Sequence, residues 1–294
     1  MNKKLLRSPI VYMGSKGRYY DHITENLPKD TSGRSLDIFG GSGDVGVLML
    51  PHKDVTINDL SNPIVNLHKM FLEYKNNPEL LVKNIEDILK LYNLNEFNRE
   101  KVDYLKSQYF KLRNDYNTNP TPEKLYALHC TSNSNMLRFS KNGMNVPYGE
   151  RKFNKALKAK MINWLDILCK RDGELTFTNQ DFRDIDFNDF DFIYSDSPYL
   201  NTTSGYQSTK KLEWSAREEY SLYNKLANYK GKWMLSNQLY SKGKHNYILQ
   251  EFIDQQSSVD NNNIRVVELS SQSYKNCNYQ REDKKTVELL IMNY

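Results

Sequence analysis

Between Leu36 and Leu50 the chain carries an apolar run, a glycine-rich turn and a second apolar run. The residues are Leu36-Asp37-Ile38-Phe39, then Gly40-Gly41-Ser42-Gly43-Asp44-Val45-Gly46, then Val47-Leu48-Met49-Leu50. A strand that enters a helix through glycines lets a nucleotide approach backbone amides, and it constrains the chain to an α/β architecture. Gly41-x-Gly43-x-x-Gly46 fits the dinucleotide fingerprint. Asp59, just after the second strand Val55-Thr56-Ile57-Asn58, stands where an acid binds ribose hydroxyls. The plainer alternative is a tight turn with Asp59 capping the helix that starts at Pro63. Dinucleotides and S-adenosylmethionine both use an acid here, so the fingerprint leaves the ligand open between them.

The rest of the chain extends the α/β pattern on both sides of an interruption. Helical spacing of Ile64, Val65, Leu67, His68, Phe71 and Leu72 predicts an amphipathic helix from Pro63 to Tyr74, with His68 as a packed residue rather than a ligand. Residues 76–150 read as helices (Leu80 to Leu91, Val102 to Leu112, Pro122 to Cys130) and then a segment rich in Gly and Asn. Asn142-Gly143 is a hairpin signal there. Arg138, Asn142, Asn145, Pro147 and Tyr148 surround that hairpin, and Arg and Asn side chains suit base edges and phosphates. In isolation the hairpin is a solvated turn, but a Rossmann-like core does not need it, so 76–150 is expected to be a separate recognition domain. The flanking 1–75 and 151–294 form a discontinuous catalytic domain. In its second part a helix is expected over Phe153 to Cys169 and strands over Glu174 to Thr178 and Asp191 to Ser195. Helices Ser215 to Tyr229 and His245 to Ile253 follow, with strands Lys232 to Ser236, Ile264 to Leu269 and Thr286 to Met292.

Composition narrows the class. With 294 residues, 26% charged and 38% hydrophobic, the chain suits a globular enzyme rather than a disordered tail. No apolar run approaches the roughly 20 residues that span a bilayer. Lys3, Lys4 and Arg7 have no apolar core behind them, so no secretory leader is expected. Cys130, Cys169 and Cys277 have no metal spacing and suit a reducing cytoplasm. A net charge of +5 permits a polyanionic partner without demanding one.

Chemistry concentrates at Asp196-Ser197-Pro198-Tyr199, which follows a buried-strand run and precedes a Thr/Ser/Gly loop. A carboxylate, the Ser197 carbonyl and an aromatic face together suit a flat heteroaromatic ring with an exocyclic amino group, such as adenine or cytosine. A strand end with an Asx-type turn is the plainer reading. Earlier, Val11-Tyr12-Met13-Gly14-Ser15-Lys16-Gly17 sets a Lys among small residues, placed to meet a carboxylate.

Taken together, these pieces resemble the Dam-like, class α DNA adenine-N6 methyltransferases over nearly the whole chain. The resemblance rests on Tyr12-x-Gly14-x-Lys16, Asp37-Ile38-Phe39-Gly40-Gly41-Ser42-Gly43, Asn58-Asp59-Leu60, Asn145-Val146-Pro147-Tyr148-Gly149, Asp196-Ser197-Pro198-Tyr199-Leu200-x-Thr202 with Tyr206 beyond it, and Val287-Glu288-Leu289-Leu290-Ile291-x-Asn293. It implies a Rossmann-like S-adenosylmethionine methyltransferase sheet with an inserted helical and hairpin recognition domain. It implies cofactor contacts from Tyr12, Lys16, Asp37, Phe39, Gly40, Gly41, Gly43, Asp59, Asp181, Phe182 and Asp196. Asp196 and the following carbonyl would hold the target amino group, with Ser197, Pro198 and Tyr199 completing the catalytic motif. Double-stranded DNA is the implied partner, contacted by Arg138, Asn142, Asn145, Pro147, Tyr148 and Tyr206, with GATC as the leading site and no metal required. Whether a restriction endonuclease accompanies the chain, and whether it is a monomer or weak dimer, stays open. The family usually has Gly-Gly-Lys and Asp-Pro-Pro-Tyr where this chain has Ser15 and Ser197.

Three other functions fit parts of the pattern. A nicotinamide oxidoreductase accounts for the glycines but not for Asp196 to Tyr199. A methyltransferase for cytosine N4, RNA adenine or a protein amide shares the fold and acceptor motif. A DNA-binding homologue without turnover is suggested by Ser197. Cytosine-C5 transfer needs a thiolate, normally after a proline, and no cysteine here follows one.

Overall fold

A computed structural model describes residues 7–12, 14–29, 33–49, 54–200, 214–241, 243–259, 263–270 and 286–294. Its centre is β1 (Ser35–Asp37), buried along its whole length and flanked by two parallel neighbours, β2 (Val55–Asn58) and β6 (Phe192–Ser195). The short hairpin β3 (Phe139–Ser140) and β4 (Gly143–Met144) lies outside this sheet, and β5 (Leu175–Thr178) is parallel to β2 at its edge. On the other side follow β7 (Lys232–Ser241), parallel to β6, then β10 (Thr286–Met292) and β9 (Arg265–Ser270), both antiparallel additions. The short β8 (Lys244–His245) pairs back onto β7. The order is therefore β5-β2-β1-β6-β7-β10-β9 among the described residues. The chain moves outward from β1 through β2 to β5, then returns to lay β6 on the opposite side of β1. That reversal is a topological switch point, and the crevice beyond the two strands' carboxyl ends is where ligands of open α/β sheets bind.

Alternating residues bury both faces of the sheet, as parallel strands require. Leu36, Ile38, Ile193, Trp233, Leu235, Leu289 and Ile291 pack with α7 (Ala216–Asn228) and α8 (Tyr247–Ser257). Phe192, Tyr194, Met234, Leu290 and Met292 point to the other face, in one apolar cluster with α2 (Asn62–Glu73) and α6 (Lys155–Cys169). The intervening α3 (Pro78–Leu91), α4 (Val102–Thr118) and α5 (Pro122–Thr131) add Leu81, Ile85, Leu105, Tyr109, Leu112, Leu125 and Tyr126 to that same cluster.

Three elements run differently from their sequence patterns. α4 continues to Thr118 because Tyr116 carries the buried stripe of Leu105, Tyr109 and Leu112 one turn further and Asn117 has work at the hairpin. β7 continues past Ser236 to Ser241 because Asn237 and Gln238 are buried against β10 rather than marking a turn. α8 begins at Tyr247 instead of His245, since the Asn246 side chain caps it by accepting from the Leu249 amide at 3.1 Å. No helix among the described residues is long and apolar enough to cross a membrane.

Candidate functional site

Asp37 of β1 stands in register with Tyr194 of β6, so Phe39 and Asp196 leave adjacent strands side by side at the switch point. The glycine turn folds back at once. Gly43 has φ +78°, and a Cβ there would fall 2.7 Å from the His68 ring, so the left-handed conformation and the close approach both call for glycine. His68 is buried, stacks on Phe177 at 5.1 Å and donates from Nε2 to the Gly41 carbonyl at 2.9 Å. Burial pushes its pKa down to about 4, so the ring is neutral and supports the turn from behind, as the sequence reading expected of a packed histidine.

The turn is also tied to the opening segment. Asp44 accepts from the Ser8 amide at 2.7 Å, from Ser42 Oγ at 2.9 Å and from Ser15 Oγ. Ser15, in place of the family's glycine, thus supplies a bond that glycine lacks. It also caps the short helix Lys16–Tyr19. The Val11 amide donates to His129 Nε2 at 3.0 Å, and Tyr12 lies against Gly41.

That helix delivers Lys16 to the candidate catalytic carboxylate. Lys16 Nζ lies 2.7 Å from Asp196 Oδ2 and 3.4 Å from Glu288 Oε1 of β10, with the Lys16 and Glu288 side chains 4% and 1% exposed. The same ammonium sits 5.1 Å from the centre of the Tyr199 ring. Tyr199 Oη is 3.1 Å from Asp196 Oδ1 and 2.8 Å from Glu288 Oε1. Tyr19 Oη donates to Glu288 Oε2 at 3.0 Å, and Arg18 reaches that oxygen at 3.7 Å. Burial opposes the charge on Lys16, but Asp196 and Glu288 outweigh it and its pKa is raised. Burial raises the pKa of Asp196 despite Lys16, whereas at Glu288 the combined effect of Lys16, Tyr199, Tyr19 and Arg18 overcomes burial and the pKa is lowered. Ser197 is buried, and its Oγ has no hydrogen-bond partner among the described residues.

Beside this cluster lies a second group of carboxylates. Asp37 accepts from the Gly46 amide at 3.1 Å through Oδ2, while its buried Oδ1 has no partner among the described residues. Burial, with the charges of Asp196, Asp59 and Asp44, pushes its pKa up to about 8. Asp59 accepts from the Gly41 amide at 2.9 Å and the Ser61 amide at 2.7 Å, and burial pushes it to about 6. It therefore braces the turn, and α2 begins without any side-chain cap. Phe39, Phe182 and Trp214 form an aromatic wall, with Phe39 centred 5.6 Å from Phe182 and 5.4 Å from Trp214. Asp181 is occupied by Arg183, which donates from Nε at 2.8 Å and holds its carboxyl below the usual range.

The hairpin is fastened to the helices below it. The Asn117 side chain accepts from the Met144 amide at 2.8 Å and donates to its carbonyl at 3.1 Å, imitating a neighbouring strand. Pro147's carbonyl accepts from the Asn133 amide at 3.0 Å, and Tyr148 packs on Tyr109 at 5.6 Å. Arg138, Asn142 and Pro147 are exposed, and Arg138 Nε donates to Asn145 Oδ1 at 2.8 Å across the hairpin.

Of the sequence candidates, the structure gathers Lys16, Asp37, Phe39, Gly40, Gly41, Gly43, Asp59, Phe182 and Asp196 to Tyr199 around the switch point, and Arg138, Asn142, Asn145, Pro147 and Tyr148 at the hairpin. Thr202 and Tyr206 lie outside the described residues, as does Cys277. Sequence reasoning did not single out Glu288, Tyr19, Asp44 or Trp214. Glu288 had a signal: a lone carboxylate within Val287-Glu288-Leu289-Leu290-Ile291 must be buried and therefore partnered.

A glycine turn at a switch point, a group of buried carboxylates and a strand-end Asp-Ser-Pro-Tyr thus stand together at one end of the sheet. The comparisons place the chain within a family. The family model for D12 class N6 adenine-specific DNA methyltransferases matches residues 12–281, and the chain belongs to that family. It is 31% identical, over 99% of its length, to "Modification methylase StsI" of Streptococcus sanguinis. It is likewise 31% identical, over 86% of its length, to "Modification methylase LlaI" of Lactococcus lactis subsp. lactis. Against "Type II methyltransferase M.FokI" of Planomicrobium okeanokoites it is 29% identical over 98% of its length. These alignments cover 43%, 40% and 43% of the relatives, so the chain spans about two fifths of their length.

Proposed function

We propose that this chain transfers the methyl group of S-adenosylmethionine to N6 of an adenine flipped out of duplex DNA. The observation that carries this is Asp196, a carboxylate delivered by β6 to the switch point beside the glycine turn and met there by the buried Lys16. The carboxylates of Asp37 and Asp59 fit the cofactor. Asp37 Oδ1, unpartnered among the described residues and in a carboxyl pushed up by burial and neighbouring acids, calls for a cation, and S-adenosylmethionine carries both a sulfonium and an ammonium. Asp37, Asp59, Tyr12 and the glycine turn would hold it, with Phe39 and Phe182 against its adenine. When bound, it supplies an electrophilic methyl group.

The chain's own residues then act on the target base. Adenine N6 has its lone pair delocalised into the ring, so it is a poor nucleophile. Asp196 and the Ser197 carbonyl accept its two hydrogens, which localises that lone pair toward the methyl carbon, and Asp196 is placed to take the proton N6 gives up. Tyr199 presents a ring for stacking while its hydroxyl stays anchored, offsetting part of the few kcal/mol that base flipping costs. The 76–150 segment reads the DNA through Arg138, Asn142, Asn145, Pro147 and Tyr148. Its register to the transfer site runs through α5, whose His129 holds Val11. GATC is the first site to test. A cytoplasmic role beside a companion endonuclease fits the relatives' names as modification methylases.

Incubation with S-adenosylmethionine and duplex DNA, followed by nucleoside analysis, tests this directly. N6-methyladenine at a defined site is expected, and Asp196→Ala should lose more than about tenfold in rate, a 1.4 kcal/mol effect, with cofactor affinity kept. N4-methylcytosine, or product only on RNA, would replace the proposed target.

A further inference from the structure

We infer that Glu288 is a positioning residue of the transfer site: it shares Lys16 with Asp196 and takes the Tyr199 hydroxyl, leaving Asp196 able to accept the target amino group. The inference rests on the assignment of Asp196 proposed above.

Three observations carry it. Glu288 is a carboxylate at 1% exposure on a strand whose neighbours Leu289, Leu290 and Ile291 are core residues. A buried carboxylate is costly and a neutral residue there would be cheaper, so its presence calls for a use. Next, the strands on both sides are irregular beside this residue. β7 carries the extra residue Leu239 between the partners of Val287 and Glu288, and β9 carries the extra residue Leu269 between the partners of Glu288 and Leu289. Both ladders are therefore interrupted at Glu288, whose side chain meets Lys16 and Tyr199. Last, the Tyr199 hydroxyl has one hydrogen and lies within reach of two carboxylates. Glu288, at 2.8 Å, is the nearer acceptor, so the hydrogen is drawn away from Asp196 at 3.1 Å. Lys16 is divided likewise, at 2.7 Å from Asp196 and 3.4 Å from Glu288. Without Glu288, both the ammonium and the hydroxyl would be free to neutralise Asp196.

The charge consequence has a definite sign. Asp196 is faced by Lys16 from the opening helix, Tyr199 from its own loop, Glu288 from β10, Asp37 from β1 and Tyr194 from β6. Glu288 is faced by Lys16, Arg18 and Tyr19, by Tyr199 and Asp196, and by Tyr194. Glu288→Gln preserves shape, removes a like charge from beside Asp196 and gives Lys16 wholly to it. Both changes favour the ionised Asp196 and move the acid limb of the rate profile to lower pH.

The experiment is single-turnover methylation of duplex DNA by parent and Glu288→Gln across pH, with cofactor affinity from calorimetry. The expected result is a rate about tenfold or more below the parent, S-adenosylmethionine affinity within twofold, and an acid limb displaced downward. An acid limb that stays with the parent's overturns the inference whatever the rate, since a merely structural role does not move it. A parent that methylates nothing fails the proposed function instead, and the inference falls with it. If Glu288→Gln does not fold, a carboxyl-carbon NMR titration of the unmutated protein takes its place. Coupled titration of Asp196 and Glu288 supports the sharing, and independent titration overturns it.

Discussion

Lys16 Nζ and Asp196 Oδ2 lie 2.7 Å apart, joining a residue near the start of the chain to the end of a central strand. Lys16 is 4% exposed, so the contact is a buried ion pair rather than a surface one. Breaking one side of such a pair costs on the order of 3–5 kcal/mol, because a buried charge is left behind. Lys16→Met should therefore lose about that much stability in denaturant unfolding. Losing the cation also raises the Asp196 pKa, so the acid limb of the methylation profile should move up, opposite to Glu288→Gln. A profile that moves down or not at all separates Lys16 from Asp196 function.

Asp37 gives a test that needs no DNA. Its carboxyl has an ordinary pKa of 3.8 and is pushed to about 8 in the folded chain. The folded state thus holds a proton that the unfolded chain releases, and parent stability should fall as pH rises through that window. Asn at this position keeps an acceptor for the Gly46 amide and has nothing to ionise. Without cofactor, the melting temperature of Asp37→Asn should gain on the parent as pH rises through the same window. A constant difference across that range would mean Asp37 ionises as freely folded as unfolded.

Arg138 and Asn145 bond each other across the hairpin, so their roles in DNA recognition should be coupled. Each alanine variant should raise KM for DNA or relax site choice, with unchanged cofactor affinity. The double variant should lose less than the sum of the singles, by about 0.5–3 kcal/mol. Additive losses would show that the two act on DNA separately, and methylation maps matching the parent would return the hairpin to a structural turn.

Ser197 departs from the family pattern, and its buried hydroxyl has no partner among the described residues. Its proposed function uses the backbone carbonyl, which any residue supplies. Ser197→Ala should be near neutral in rate and no less stable, since an unpaired buried hydroxyl is unfavourable by about 1–3 kcal/mol. A hundredfold loss in single-turnover rate would place the hydroxyl in the chemistry and reopen cytosine N4 as target.

Ser15 is the opposite departure. Its Oγ bonds Asp44 and caps the helix that carries Lys16. Ser15→Gly should cost about 1 kcal/mol in stability, the worth of one side-chain bond, with most activity retained. A fully stable variant would show that Asp44 is satisfied by Ser8 and Ser42 alone.

Local chemistry along the chain determined the sheet strands, the glycine turn, His68 as a packed residue and Asp196 as a carboxylate at a strand end. Each depends on neighbours within a few residues: apolar alternation, glycines where φ is positive, a carboxylate at a strand end. Where polarity interrupted the pattern, as at Asn237 in β7 and Asn117 in α4, the element continued because long-range partners satisfied those groups. The same limit applies inside the site. Lys16 could be read as waiting for a carboxylate, but not for which one, and Glu288 read as one residue of an apolar strand. Asp59 could be matched to a cofactor motif, but not seen to brace Gly41 and Ser61. Only the tertiary structure decided these pairings, because a buried charge takes its meaning from whichever opposite charge the fold brings within about 4 Å, and distance along the chain carries no record of that.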